Sequence, residues 1–330
     1  MSESILTWVI FNIFIAVVFL FDILWSRGKI YGFKSSIIWT AIWTIMALIV
    51  NLWFFLEDGL LLQGNDRGLT FLTAYVAERA LSFDNLFVFI IIFQFFKIPP
   101  KLQPLALTYG IIGALVARAV FIALGTAILG IFTWVMLIMG LFLIYTGIKL
   151  AFIKDEEVHP ENNILLKFSK KVLNLSNEFK ENKFIFRDSK GVLFFTPLFL
   201  VVLVLASTDV VFAVDSIPTV FGITKDTFIV WNSNMMAVVG MRPLYFLIQE
   251  MQNQFRFLKY GLSLILVFIG FKMSVEYLGE KIGPLINSEF ITHLHINTYT
   301  SLGAIVIVII GSILLSSLLP EKNGSSPIKN

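Results

Sequence analysis

Tyr75-Val-Ala-Glu-Arg-Ala-Leu-Ser-Phe-Asp-Asn-Leu-Phe-Val88 is apolar enough to lie in lipid, and yet it carries two carboxylates and an amide. The carboxylates are Glu78 and Asp84, six residues apart, and the amide is Asn85. A charged side chain inside a bilayer is costly, and it is usually retained for a purpose. The stretch therefore predicts a functional site within a membrane-spanning helix.

A second stretch, Ser207-Thr-Asp-Val-Val-Phe-Ala-Val-Asp-Ser-Ile-Pro218, repeats this arrangement. Its two acids, Asp209 and Asp215, are again six residues apart, and a small polar residue, Ser216, follows directly. Two such motifs predict a site that is built from two halves.

The composition is that of a membrane protein. Of the 330 residues, 57% are hydrophobic and 14% are charged, and the mean hydropathy is +0.85. A soluble domain of this length needs fewer apolar residues to fill its core. Lysine and arginine lie in short loops between the apolar runs, where they set the orientation of the protein in the membrane. The net charge of +3 therefore does not indicate nucleic-acid binding. The chain has no cysteine, which excludes disulfides and thiolate metal sites.

Apolar runs of about 20 residues predict an all-α polytopic membrane protein with about nine transmembrane helices. The first run follows Met1-Ser-Glu-Ser, which lacks the basic start of a signal peptide, so we expect it to be retained. The predicted spans are residues 5–25, 36–56, 70–96, 105–125, 131–152, 193–220, 228–248, 258–279 and 298–319.

The loops between these runs alternate in charge. Basic loops follow spans 1, 3 and 7, whereas acidic loops follow spans 2 and 8. By the positive-inside rule, the N-terminus lies outside and the C-terminus lies in the cytoplasm. We expect a multi-pass protein of the cell (inner) membrane, with the lipid bilayer as its surroundings.

The largest polar segment is the predicted cytoplasmic loop at residues 154–191. Leu165, Leu166, Phe168 and Val172 recur there among lysines, in a pattern compatible with a short amphipathic helix on the inner membrane surface and with a regulatory role. A solvated connector between two helix bundles is the interpretation we favour. The tail after Leu319 is typical of a disordered segment.

The likeness between the two acidic motifs continues beyond them. Arg118 and Arg242 stand at matching places in the next helix of each unit, and Gly147-Ile-Lys149 matches Gly270-Phe-Lys272 in the one after that. Each unit therefore has an acidic helix, an arginine helix and a Gly-x-Lys helix, in that order. Charged residues are rare in such segments, so the shared order indicates a duplication.

Because each unit has three spans, the second copy begins on the opposite side of the membrane. This predicts two inverted three-helix repeats with a site between them near the membrane midplane. The predicted divisions are a peripheral helix pair (1–69), repeat 1 (70–153), the cytoplasmic loop (154–191), repeat 2 (192–280) and a C-terminal helix with a disordered tail (281–330).

The two acids of one motif cannot share a face of a regular helix, because residues six apart differ by about 120° around the axis. Either the helix unwinds locally, or each acid meets a partner from the other repeat. Pro218 removes a backbone donor, and the apolar run at 193–220 exceeds one span. We therefore predict an interruption in the second acidic helix.

An all-oxygen site without nearby histidine or cysteine suits a hard divalent cation such as Mg²⁺, Ca²⁺ or Mn²⁺ better than Zn²⁺ or Cu⁺. We interpret three methionines near Arg242 as packing residues and His293 and His295 as surface residues. No cofactor is predicted to be bound permanently, and the ion is a substrate. The predicted metal ligands are Glu78, Asp84, Asn85, Asp209, Asp215 and Ser216.

A purely structural role for the acids is the alternative, in which they pair with Arg118 and Arg242 to fasten the helices. The four acids outnumber these two arginines, and Lys149 and Lys272 lie near helix ends, where their ammonium groups can reach the interface. The excess negative charge would be neutralised by a metal cation or by protons, and exchange of one for the other uses both. We assign the two arginines and two lysines to ion-pair or gating roles.

The two motifs, Glu78-x-x-Leu-Ser-x-Asp-Asn85 and Asp209-x-x-Phe-Ala-x-Asp-Ser-Ile-Pro218, resemble the paired signatures of the TerC family of bacterial integral membrane proteins. The chain is most similar to the pH-responsive Alx-type branch. This resemblance implies membership of the LysE-type transporter superfamily and export of Mn²⁺ or a related divalent ion. The likeness runs from span 1 to span 9 and includes Asp22, Asn51, Ser233, Asn234 and Lys259-Tyr-Gly-Leu262.

One position departs from the family pattern. Many relatives carry a further acid three positions before the equivalent of Asp209, and this chain has Ala206 there. The site would then be one carboxylate short, which bears on metal preference and proton coupling. The family takes its name from tellurite-resistance loci, which does not establish tellurite transport.

The leading hypothesis is a divalent-cation exporter, not an enzyme, that works by alternating access of the two repeats and is coupled to protons. Asp84 and Asp215 would be central ligands, and Glu78 and Asp209 outer ligands or proton acceptors.

Three alternatives come from other classes. The first is a membrane partner protein that supplies metal to envelope proteins or scaffolds them, and the second is a tellurite or other oxyanion transporter that uses the basic residues. The third is an intramembrane aspartyl protease, whose dyad would share a proton. Such proteases carry Tyr-Asp and Gly-x-Gly-Asp, whereas these aspartates lie in Ser-Phe-Asp-Asn and Ala-Val-Asp-Ser. Formation of a homo-oligomer is left open.

Overall fold

The structure is a computed structural model that describes residues 4–26, 30–57, 67–152, 161, 163–176, 179–180, 182–188, 190–251, 257–282 and 296–318. The predictions for His293, His295 and the tail after Leu319 fall outside the described residues, as do those for much of the charged loops.

The described residues form eleven α-helices and one antiparallel two-stranded sheet. The helices are α1 (Ile5–Ser26), α2 (Phe33–Glu57), α3 (Arg67–Phe95), α4 (Gln103–Ile131), α5 (Val135–Phe152), α6 (Ile164–Val172), α7 (Pro197–Phe221), α8 (Thr227–Val239), α9 (Met241–Met251), α10 (Leu258–Ile282) and α11 (Thr298–Leu318). The strands are β1 (Ile185–Arg187) and β2 (Leu193–Phe195).

Within this described part of the chain, seven helices are long and apolar enough to cross a membrane: α1, α2, α4, α5, α7, α10 and α11. This confirms a polytopic, essentially all-α membrane protein. α3 occupies the place of a further predicted span and is 29 residues long, but it contains four charged residues. The remaining predicted span, 228–248, is divided between α8 and α9, which have 13 and 11 residues.

The break between α8 and α9 lies at Gly240 and has a local cause. Pro243 has no backbone N–H, and its ring crowds the preceding turn, which ends a helix about here. The guanidinium of Arg79 in α3 donates to the carbonyls of Ala237 (2.7 Å) and Gly240 (3.2 Å). A Cβ on Gly240 would lie 2.8 Å from Arg79 Nη2, so only glycine leaves room for this contact.

The predicted interruption of the second acidic helix was wrong, because α7 is continuous from Pro197 to Phe221 with Pro218 inside it. Pro218 lies in the last turn, where a helix has few further backbone bonds to lose. The Thr219 hydroxyl donates to the Asp215 carbonyl (2.8 Å), and the next residues continue the helical bonding. At 1.5 Å per residue, α7 is about 37 Å long, which suits a tilted span.

The closest helix contact joins α5 and α10 along glycine. A Cβ on Gly147 would lie 2.8 Å from the Ser263 carbonyl oxygen, and one on Gly270 would lie 2.5 Å from the Gly140 carbonyl oxygen. Small residues of this kind let two membrane helices approach backbone to backbone. The other large contacts pair α4 with α7 and α3 with α8, so helices of the two predicted repeats alternate through the bundle.

The connector between α5 and α7 has structure of its own. The predicted amphipathic helix is present as α6, and β1 pairs with β2 in the register Ile185–Phe195 and Arg187–Leu193. The Tyr109 ring in α4 packs edge-on against Phe184, 4.7 Å between centroids. Because β2 occupies residues 193–195, the following helix begins at Pro197 and not at residue 193 as predicted.

Candidate functional site

The second acid of each motif lies at one shared cavity between α3 and α7. Asp84 and Asn85 from α3 and Asp215 and Ser216 from α7 line it, and its volume is about 70 Å³. The residues that complete its wall are Leu81, Thr146, Leu150, Phe212, Leu262 and Leu266.

Two neutral polar groups at this cavity have no partner of their own. Asn85 and Ser216 are 3% and 2% exposed. Among the described residues, neither Asn85 Nδ2 nor Ser216 Oγ has a hydrogen-bond partner. Buried polar atoms are almost always satisfied, so these two suit a polar occupant. Since the two ends of an amide are assigned and not observed, Asn85 can present either its oxygen or its nitrogen to that occupant.

The two carboxylates of the cavity lie close enough to repel each other. The Thr146 side chain lines the cavity with Asp215 and offers that carboxylate a hydroxyl donor. Lys149 and Lys259 act on the acids from a longer range, Lys149 on Asp215 and Lys259 on Asp84. Across the ranges that the structure describes, no lysine or arginine nitrogen lies within 4 Å of either carboxylate. The acids are therefore not consumed by a salt bridge and can bind a cation.

The first acid of each motif lies in a separate buried cluster around Arg118. Its Nη1 donates to Glu78 Oε1 and to Asn234 Oδ1 (2.8 Å), and its Nε lies 3.8 Å from Asp209 Oδ2. All four side chains are 0% exposed. One arginine therefore ties α3, α4, α7 and α8 together.

Charge in this cluster is not balanced if both acids are ionised, since Arg118 supplies one positive charge and Glu78 and Asp209 supply two negative ones. Several of its atoms, including Glu78 Oε2 and both Asp209 carboxylate oxygens, have no hydrogen-bond partner among the described residues. A buried carboxylate without compensation is costly. The cluster therefore suits a bound proton.

Arg242, the counterpart of Arg118, lies elsewhere. Its Nη1 is 3.3 Å from Asp22 Oδ2 in α1, and its Nη2 donates to Thr108 Oγ1 at 2.7 Å. The pair is buried. Arg242 thus fastens α1 and α4 to the start of α9, and it does not contact the acids of α3 or α7.

The two predicted gating lysines also differ from each other. Lys272 in α10 is buried, with its Nζ 3.9 Å from Glu276 Oε1 one turn away. Lys149 in α5 is exposed and acts on Asp215 through its charge, although it does not line the cavity. Of the four predicted ion-pair residues, the structure brings only Arg118 and Lys149 near the acidic motifs.

The position of Ala206 explains what a longer side chain would meet there. Ala206 lies at the contact of α7 with α4, and a Cβ on Gly113 would lie 2.8 Å from the Ala206 Cβ. An acid at this position would meet α4 at Gly113, and Ala206 is not among the residues that line the cavity.

The six predicted ligands therefore fall into two layers, an arginine layer with Glu78 and Asp209 and a cavity layer with the other four. Within the described ranges, no three of histidine, cysteine, aspartate and glutamate come together around one point. A cation in the cavity would have two carboxylates and neutral oxygens, not the four carboxylates that the sequence suggested.

Sequence reasoning missed three residues. Arg79 was a charged residue inside a predicted span, which should have singled it out. Asn234 was singled out only by the family resemblance. Nothing in the sequence around it indicates that it is a partner of Arg118. Thr146 lies in an apolar helix far from both motifs, and only the fold brings it to Asp215.

The family model described as "Integral membrane protein TerC family" matches residues 63–324. The chain is 37% identical over 278 residues to a Photorhabdus laumondii protein named "Putative membrane-bound redox modulator Alx", covering 82% of this chain and 87% of that protein. It is 36% identical over 276 residues to the protein of that name from Escherichia coli K12, covering 82% and 86%. No solved structure matches the chain.

Proposed function

Because this chain belongs to the TerC family of integral membrane proteins, we propose that it is a transporter that exports a divalent metal cation, Mn²⁺ in the first place, in exchange for protons. The observation that carries this proposal is the cavity at which Asp84 and Asp215, from two different helices, face each other beside Asn85 and Ser216. Among the side chains that the structure describes, none forms an ion pair with these oxygens.

The chemistry of the cavity supports a hard divalent substrate. Two carboxylates provide the charge that neutralises one divalent ion, and amide, hydroxyl and carboxylate oxygens are the ligands such ions prefer. A volume of about 70 Å³ has room for a cation with one or two waters, each about 30 Å³ in the liquid. An oxyanion such as tellurite would be repelled by the same carboxylates.

Two equivalences support an inverted-repeat architecture. Equivalent residues near a two-fold axis must lie close together, and Asp84 lies by Asp215, while Glu78 and Asp209 share Arg118. These are the pairs that the aligned motifs equate.

The α5–α10 contact supports the same symmetry. In the register that equates Gly147 with Gly270, Ser263 is the counterpart of Gly140. Gly147 packs against Ser263, and Gly270 packs against Gly140, so the two contacts are copies of each other. A two-fold axis between α5 and α10 accounts for both.

Nine membrane crossings complete the proposal. α3 can lie in the bilayer because Glu78 pairs with Arg118, Arg79 donates to carbonyls at the end of α8, and Asp84 lines the cavity and does not face lipid. With α8 and α9 together forming one broken span, the count is nine. We place the N-terminus outside and the C-terminus in the cytoplasm of the inner membrane, following the loop charges.

The cavity lies on one side of the proposed axis, which supports alternating access. Its wall uses four residues of α5 and α10 near the C-terminal end of α5 and the N-terminal end of α10. Two of these residues, Thr146 and Leu150, are partly exposed, whereas their counterparts in the opposite repeat are fully buried, which supports a closed path on the other side. In the order of the alignment, Thr146, Leu150, Leu262 and Leu266 correspond to Ile269, Met273, Met139 and Leu143.

The Arg118 cluster supplies the proton side of the exchange. Its charge count suits one proton shared between Glu78 and Asp209, adjacent to the cavity layer on the same two helices. Loss of that proton would strengthen the electrostatic attraction of both acids to Arg118, and it would draw α3 and α7 closer to α4. Proton binding and the relative position of α3 and α7 are thereby linked.

The relatives named for redox modulation fit this proposal through the metal. Thiol–disulfide chemistry needs cysteine, and this chain has none. The proposed metal transport offers one route to a redox effect that needs no cysteine.

The decisive experiment is Mn²⁺ uptake into inverted membrane vesicles. Asp84→Asn and Asp215→Asn should each reduce uptake strongly, and the double variant should reach background, while Asp188→Asn on the surface hairpin serves as the matched control and stays at the wild-type rate. Undiminished uptake by a correctly inserted double variant would overturn the proposal.

A further inference from the structure

The position of α6 relative to α7 is defined at both ends of the short helix. Asn163 caps α6 through Leu166 N (3.1 Å) and donates to Ser207 Oγ (2.8 Å). Ser207 lies ten residues into α7, about 15 Å from its start. Beyond the other end of α6, Phe195 N donates to Asn174 O at 2.9 Å, just before α7 begins. α6 therefore runs antiparallel along the first half of α7.

Three faces can be distinguished around α6. Leu166 and Ser169 are buried against the bundle. On the outer side, Ile164, Phe168 and Val172 are 81%, 62% and 61% exposed and form one apolar stripe, to which Leu165 also belongs. The third face carries the exposed lysines Lys167 and Lys171.

The surroundings of the apolar stripe identify what covers it. α6 lies against a helix that is apolar enough to span the membrane, and α7 exposes Val210, Val211 and Val214 just beyond Ser207. The stripe therefore continues a lipid-facing surface. Exposure of such side chains to water is unfavourable, and burial among acyl chains removes that cost. Lysines beside an apolar stripe are the pattern by which interfacial helices bind anionic lipid.

We propose that α6 is a lipid anchor that lies along the first half of α7 on the side of the membrane where α7 begins, with its apolar stripe among the acyl chains and Lys167 and Lys171 extending to anionic headgroups of that leaflet. This surface is separate from the metal cavity, and the inference does not depend on the transported ion. The Asn163–Ser207 bond joins the anchor to α7 two residues before Asp209. The lipid contact is thus adjacent to the arginine layer.

The absence of cysteine from the sequence makes a site-directed fluorescence test direct. A single-cysteine variant, Phe168→Cys, is labelled with an environment-sensitive fluorophore in the full chain and placed in lipid nanodiscs. Brominated acyl chains should quench the label as strongly as they quench one at Val211→Cys on α7. A label at Lys190→Cys on the hairpin is the exposed control and should be quenched by aqueous iodide.

The two quenchers show whether lipid, water or protein covers the apolar stripe of α6. A Phe168→Cys label quenched by iodide and not by brominated lipid would overturn the proposal, because the stripe would face water. A label protected from both quenchers would also overturn it, because a protein surface or a second copy would then cover the stripe.

A second arm tests the charges. Addition of phosphatidylglycerol to phosphatidylcholine discs should increase acyl-chain quenching at position 168 by about twofold or more, and the Lys167→Gln/Lys171→Gln variant should lose that increase. Lys183→Gln/Lys190→Gln removes the same charge from the hairpin and should keep it. Equal loss in both variants would overturn the assignment of the headgroup contacts to α6.

Discussion

The same two helices, α3 and α7, carry two pairs of acids that the fold surrounds differently. Glu78 and Asp209 are fully buried around Arg118, with no measurable exposure. Asp84 and Asp215, six residues further along, line a cavity and have no basic nitrogen within 4 Å among the described residues. One pair is fastened and the other is available.

The difference comes from the helices that pack beside each layer. α4 brings Arg118 to the first pair, whereas α5 and α10 bring Thr146 and leucine side chains to the second pair. A carboxylate in a membrane is structural when a fixed cation pairs with it, and without one it is neutralised by a proton or is free to bind a mobile cation. Identical motif spacing therefore does not imply identical roles.

The largest effect is expected from removal of the fixed cation. Arg118→Gln leaves two buried carboxylates without compensation and should lower the free energy of unfolding by about 3–5 kcal/mol. The measurement is thermal unfolding of the detergent-purified protein, with the exposed Arg187→Gln as control. Combining Arg118→Gln with Glu78→Gln and Asp209→Asn should restore much of the loss, since no charge is then stranded. An unchanged melting temperature for Arg118→Gln would mean that the acids are not ionised.

The next largest effect is a difference in Mn²⁺ affinity between variants of the cavity layer and variants of the arginine layer. Asp84→Asn or Asp215→Asn removes a charged ligand and should weaken Mn²⁺ binding about 100-fold, a loss as large as that caused by altering the outer partners of a metal site. Glu78→Gln should change the affinity by less than about threefold, because that carboxylate is held by Arg118. Titration calorimetry measures both. Equal losses in the two layers would abolish the distinction between them.

A third effect concerns proton coupling. Glu78→Gln neutralises the excess charge of the arginine layer, so Mn²⁺ binding should persist while proton movement driven by Mn²⁺ falls by half or more. A pH-sensitive dye in the lumen of proteoliposomes reports this movement. Wild-type proton movement in the variant would place the exchanged proton in the cavity layer instead.

The smallest effect is expected from Thr146→Val, which keeps the shape of the side chain and removes the hydroxyl next to Asp215. A single hydrogen bond is worth about 1 kcal/mol, so Mn²⁺ affinity should fall about fivefold. Thr208→Val is the matched control, because the Thr208 hydroxyl bonds only the Val204 carbonyl of its own helix. The same loss in the control would exclude a role for the cavity hydroxyl.

Much of the fold follows from the sequence because bilayer thickness fixes helix length. Each predicted span corresponds to a helix or, at residues 228–248, to a pair of helices. The meeting of Asp84 with Asp215 is one of the two alternatives that the helix period left open, because residues six apart cannot share a face of a regular helix. The structure adopts this alternative, and α3 and α7 are both continuous at these acids.

Two kinds of feature could not be predicted from the sequence. The effect of a proline depends on its distance from the end of the helix, and the partner of a buried charge depends on how the helices pack. Pro218 was expected to break α7 but lies in its final turn, whereas Pro243, with Gly240, breaks the next span in its middle. Arg242 matches Arg118 in sequence position, and only the packed bundle places Asp22 of α1 beside it. Local pattern carries no information on such partners.

The glycine contact between α5 and α10 restricts how related sequences can vary. Because even a methyl group at Gly140, Gly147 or Gly270 would come within 3 Å of the facing helix, substitutions there should be eliminated by selection while the outward surfaces diverge freely. An alignment of relatives should therefore show three glycine columns inside otherwise variable apolar segments. A homologue with a bulkier residue in one of those columns would need a wider separation of the two helices, and with it a differently shaped ion path.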